Sequence, residues 1–168
     1  YAEQIINFTF PHVGNVGTNK EDHESDKIWT KGIIINTEIT EPSNYRSLNH
    51  LDKSLKKNKI VGSTGIDTRS LTSNIRDKGA PKGTISFSKK GKFNIKNLLN
   101  NTQKWSGLKN LDLAEKVSTK KTYLWKDLKT WKKGNGFIKN KKKNLHVVAI
   151  DYGIKKNILR YFSDFNCK

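Results

Sequence analysis

One stretch limits the possible folds of this chain more than any other: Gly62 to Ser86, GSTGIDTRSLTSNIRDKGAPKGTIS. The short apolar run Ile60-Val61 leads into Gly62, Ser63, Thr64 and Gly65, small residues that suit a strand end. Asp67 then stands where an N-cap belongs, its carboxylate able to accept from the free N–H groups of a first helical turn. Leu71 and Ile75 are one helical turn apart and share a face, and Gly79 supplies an αL stop. Pro81 and Gly83 then turn the chain into a new strand from Thr84 to Phe87. The grammar is strand–helix–strand, with polar Asp67, Thr68 and Arg69 at the helix mouth and Arg76 further along the same helix.

Around this unit the periodicity alternates between short strands and short helices. Gln4 to Phe10 reads as a strand closed by Pro11, and His12 to Thr18 as a structural turn rich in Gly and Asn. His23 lies among acids, without partners at metal-ligand spacing, and reads as solvated. Lys31 to Ile39 reads as a buried strand. Ser47 can cap a helix carrying Leu48, Leu51 and Leu55 on one face, and Asn94 a second with Ile95, Leu98 and Leu99 buried. Leu111 to Val117 suggests another helical turn or two, and Thr122 to Trp125 a strand. Lys132 to Asn144, KKGNGFIKNKKKN, combines glycines with a lysine run whose self-repulsion favours an extended linker. Leu145 to Ile150 is a continuous apolar run suited to a parallel strand covered on both faces. Asp151-Tyr152-Gly153 turns that run into a helix with Ile154, Ile158 and Phe162 on one face, the opening of a doubly wound unit.

Charge bounds the partners. The formal charge of +18, from 33 Lys and Arg against 15 Asp and Glu, raises nucleic acid as a ligand. The excess is mostly lysine spread along the whole chain, which a solvated surface accounts for, and no aromatic–basic stacking motif accompanies it. A small basic nucleic-acid-binding module stays open as the alternative reading, and a steep salt dependence of affinity would mark it. No apolar run reaches the ~20 residues of a membrane span, and no signal peptide is visible. One cysteine, with no Cys/His cluster, argues against disulfides and zinc and fits a reducing cytosol.

The string I-D-T-R-x-L-T-x-x-I-R-x-K-G from Ile66 resembles the N-terminal domain of the small, glutaminase subunit of carbamoyl-phosphate synthetase. Phe10 to Gly17 (FPHVGNVG) and Val147 to Arg160 (VVAIDYGIKKNILR) match the same family, in the family's order and from one end of the chain to the other. The resemblance implies an α/β fold: a swivelling β/β/α-type N-terminal domain over 1–131, the linker 132–144, and at 145–168 the first strand and helix of a flavodoxin-like class I glutamine amidotransferase domain. Both ends, Tyr1 and Lys168, then read as cuts in a longer protein.

By the same resemblance, the parent subunit hydrolyses glutamine through a cysteinyl thioester. It passes the ammonia to a large subunit that makes carbamoyl phosphate from bicarbonate with ATP and magnesium. The nucleophile would lie past Lys168, so this chain would hold no catalytic, cofactor or metal residues of its own. Cys167, after Phe165 and Asn166 at a helix end, would be structural. Asp67, Thr68, Arg69 and Arg76 become candidates for a domain interface, beside the plainer reading that Asp67 only caps its helix.

Overall fold

The computed structural model describes residues 1–142 and 144–168. The chain is mixed α/β and divides into two compact units, one of 1–19 with 29–111, the other of 20–28 with 112–168. The first unit holds β1 (Ile5–Asn7), β2 (Gly32–Ile34), α1 (Leu51–Lys57), β3 (Val61–Ser63), α2 (Thr68–Lys78) and α3 (Ile95–Lys104). The second holds α4 (Leu113–Val117), β4 (Asp127–Lys132), β5 (Gly136–Lys139) and α5 (Lys156–Asp164).

In the first unit β1, β2 and β3 form a parallel sheet in chain order, with Ile6 opposite Ile33 and Ile33 opposite Gly62. Parallel pairing needs covered faces, and the sequence supplies them: Ile33, Ile35 and Leu55 are buried, with Phe8, Val13, Ile39, Leu51 and Ile60 packed around them. Gly62 adds no side chain where Ile33 and Leu55 pass over the sheet. The Gly-rich loop after β1 is a packing device. At Gly17 φ is +68°, and a Cβ there would stand 2.0 Å from Ser47 Oγ, so only glycine fits.

Helix α2 begins and ends where the sequence places it, with Asp67 as N-cap and Gly79 as C-cap. Gly79 has φ 82° and ψ 168°, so it stops the helix in a positive-φ conformation that favours glycine, but outside αL. Asn94 likewise caps α3 by accepting from Asn97 N–H at 2.9 Å. Only Leu98 of the expected α3 face is partly covered, while Ile95 and Leu99 are exposed.

Several expected elements form differently. His50, not Ser47, caps α1, its Nδ1 accepting from Asp52 N–H at 3.1 Å. Leu48 and Asn49 are engaged with Thr18 O, which delays the helix and leaves Leu48 exposed. Residues 84–87 run without joining a ladder, and Ile85 instead lays its side chain against Gly32. The strand expected at Thr122 to Trp125 is displaced to β4.

The stretch 132–144 read as a linker contains the end of β4, a turn and β5, paired antiparallel with Trp131 opposite Phe137. Gly134 and Gly136 take positive φ, and the turn they make brings Trp131 and Phe137 to directly opposed positions on the two strands. Lys143 of that stretch lies outside the described residues.

Leu145 to Ile150 makes one parallel bridge, Leu145 to Cys167, and no longer ladder. Its side chains stand in solvent, Val148 being 80% exposed. Helix α5 turns Leu159, Arg160 and Ser163 inward, while Ile158 and Phe162 of the expected face stay partly exposed. What α5 packs on is the β4–β5 hairpin, with Asn140 Nδ2 donating to Ser163 O at 2.7 Å.

Candidate functional site

The mouth of α2 is built from the carboxyl end of β1 and the loop after β3. Asp67 accepts from Ser70 N–H at 3.0 Å and from Ser70 Oγ–H at 2.7 Å. Those two hydrogen bonds hold its carboxyl below the usual carboxylate range, with the Arg69 backbone and guanidinium adding to the same effect. The cap therefore stabilises α2 at pH above the unfolded carboxyl's pKa, and is lost as pH falls through the depressed native value.

Thr68 does not face solvent. It is 1% exposed, and its carbonyl accepts from Asn7 Nδ2 at 2.9 Å and from Thr72 Oγ1 at 2.8 Å. The Asn7 amide also donates to Thr72 Oγ1 at 2.8 Å, so one side chain at the end of β1 bolts down the first turn of α2. Periodicity alone could not find Asn7, because the bond spans 61 residues of chain. The signal present was an Asn closing an apolar strand beside a Thr-rich helix start.

Arg69 is exposed at the mouth beside Asp67, whereas Arg76 pairs with Asp77 at 3.0 Å. The structure thus brings Asp67 and Arg69 together on the surface, buries Thr68 between helix and sheet, and commits Arg76 to its own neighbour. A surface pair of this kind can dock a complementary charged or polar partner.

The second unit contains a cleft of about 620 Å³ whose walls include Tyr123, His146, Asp151 and Cys167. Cysteine, histidine and aspartate on one cleft invite comparison with a thiol triad, which needs the sulfur hydrogen-bonded to the imidazole and the imidazole to the carboxylate. The contacts are otherwise. Cys167 is buried, with Sγ 3.9 Å from Phe165 O. The Asp151 carboxylate accepts from Gly153 N–H at 2.8 Å, Ile154 N–H at 2.9 Å and Tyr123 O–H at 2.7 Å. Partial burial alone would raise the Asp151 pKa, but these three donors outweigh it and lower it. Desolvation and the adjacent Asp151 charge push the Tyr123 hydroxyl up to about 12. Asp151 is thus a turn-builder leading into α5. Among the described residues no set of three or more His, Cys, Asp or Glu side chains could hold a metal, and no helix is long and apolar enough to cross a membrane.

Comparison with known proteins places the α2 mouth inside a matched region. The family model described as carbamoyl-phosphate synthase small chain, CPSase domain, matches residues 1–85. Curated relatives bearing the name carbamoyl phosphate synthase small chain are similar over nearly all of this sequence. That of Bradyrhizobium diazoefficiens is 45% identical over 172 residues, covering 100% of this chain and 43% of the relative. That of Bartonella henselae is 51% identical over 166 residues, covering 95% and 41%. That of Zymomonas mobilis is 47% identical over 161 residues, covering 95% and 43%. The chain therefore spans about two fifths of the length of the relatives it matches.

Proposed function

The chain belongs to the carbamoyl-phosphate synthase small-chain family, and on that premise we propose that it is the docking and structural portion of a glutamine-hydrolysing subunit. In this reading residues 1–131 are the family's swivelling N-terminal domain, and residues 145–168 open a flavodoxin-like class I amidotransferase domain. The parent subunit releases ammonia from glutamine and delivers it to a large subunit in the cytoplasm, where ATP and magnesium serve carbamoyl phosphate synthesis for arginine and pyrimidine nucleotides. Delivery inside the assembly keeps ammonia from being protonated in water, which would remove its lone pair.

The observation that carries the reading is the agreement of motif with structure at the mouth of α2. The family string supplies the Asp67 cap and exposes Arg69 beside it. The contact of Cys167 Sγ with Phe165 O, and the engagement of Asp151 by Gly153, Ile154 and Tyr123, support a role in binding rather than bond-breaking.

Two measurements test this. The purified chain should release no glutamate from glutamine; release that persists in Cys167→Ser would overturn the assignment. In the complete small–large complex, Arg69→Ala should uncouple glutamine hydrolysis from carbamoyl phosphate formation or weaken subunit association, because it leaves the Asp67–Ser70 cap in place. An Arg69→Ala complex that couples normally would reduce the α2 mouth to a helix cap.

A further inference from the structure

Helix α5 starts without a cap of its own. Lys155 holds the N-cap position and offers no side-chain acceptor, and Lys156 follows it. Two cations thus stand at the end of a helix whose dipole favours anions. The acceptor comes from far away in sequence: Glu24 Oε2 accepts from Asn157 N–H at 2.8 Å across 133 residues, and Glu24 O accepts from Lys156 N–H at 3.2 Å. The other carboxylate oxygen lies 3.7 Å from Arg160 Nη1. Arg160 is itself buried, its guanidinium 3.8 Å from the centre of the Phe137 ring and 5.9 Å from that of Trp125. Asp26 adds an ion pair to Lys156 Nζ at 2.5 Å.

Residues 20–28 interrupt the sequence of the first unit yet pack within the second, and none of them lies in a helix or strand. The contacts just described are polar and charged, so the segment can lift off without breaking a ladder or opening an apolar core. We propose that residues 20–28 form a releasable strap, with Glu24 as the detachable cap of α5, so that the first turn of α5 is ordered only while the strap is seated. The strap needs only the geometry of the second unit and is independent of the reaction proposed above. Seating gives Asn157 N–H its acceptor and gives the cationic start of α5 its counter-charge. Release leaves Lys155 and Lys156 facing the helix dipole uncompensated.

The test is amide hydrogen exchange on the whole chain, comparing wild type, Glu24→Ala and Glu24→Gln. Glu24→Ala should speed exchange at Asn157 by about tenfold, a helix-cap-sized effect, with β4, β5 and the later α5 amides unchanged. In wild type, added salt should speed the same amide by screening the carboxylate. Glu24→Gln keeps an acceptor but no charge, so it should show a smaller acceleration and lose the salt response. Unchanged exchange at Asn157 in Glu24→Ala would overturn the strap. So would an equal acceleration across α5 and the hairpin in Glu24→Gln, which would mean that the segment unfolds only with the whole unit.

Discussion

Tyr123 and Asp151 make the sharpest residue-scale case for a side chain set by its surroundings. A phenol partly removed from water, with its O–H 2.7 Å from a carboxylate, resists ionisation, and its pKa is pushed up to about 12. Because the folded value lies above the unfolded one near 10, the pair's contribution to stability is complete below pH ~10 and fades as pH rises through about 12. Ultraviolet titration of tyrosinate should therefore show a late transition near pH 12. Asp151→Asn should draw that transition back toward the ordinary range, and Tyr123→Phe should remove it. A late transition that survives Tyr123→Phe would place it on another tyrosine.

At the scale of elements, the union of β1 and α2 rests on the Asn7 amide, which donates both to the Thr68 carbonyl and to Thr72 Oγ1. Asn7 Oδ1 and Thr68 Oγ1 are buried there without a hydrogen-bond partner, so the joint already carries unmet polar groups. Asn7→Ala strips the donors and should cost about 1–3 kcal/mol, read as a lower denaturant midpoint. The loss of amide protection should centre on the first turn of α2. A variant as stable as wild type would mean that packing of the helix on the sheet, and not the amide, holds the joint.

At the scale of the molecule, apolar surface and charge pull in opposite directions. A net charge of +18 keeps copies apart, while Val148 and Ile150 stand 80% and 75% exposed and Tyr152, in the turn that follows, 69%. In this chain, the double variant Val148→Lys, Ile150→Lys should bind less hydrophobic dye and resist salt-induced aggregation, with unchanged protection of β1 to β3. In a longer chain of the family, the same double variant should fail to accumulate in soluble form if the amidotransferase domain proposed above buries residues 145–150, because two lysines would be desolvated without partners. Equal tolerance in both settings would remove residues 145–150 from any buried sheet.

Sequence by itself determined what depends on neighbours within a turn or two. The Asp67 and Asn94 caps and the run of helix α2 follow from side chains reaching backbone three residues on. So does the Asx turn at Asp151, and the motif strings placed the chain in its family from local spelling alone. Tertiary structure decided whatever needed a partner distant in sequence. His50 displaced Ser47 as a cap because Leu48 and Asn49 are held by Thr18, and Thr68 went inside because Asn7 came up beneath it. The lysine-rich stretch after Trp131 became half a hairpin because Phe137 found Trp131 across the turn. Leu145 to Ile150 has the composition of a strand but only one neighbouring bridge. A strand is a relation between two segments, and composition specifies only one of them.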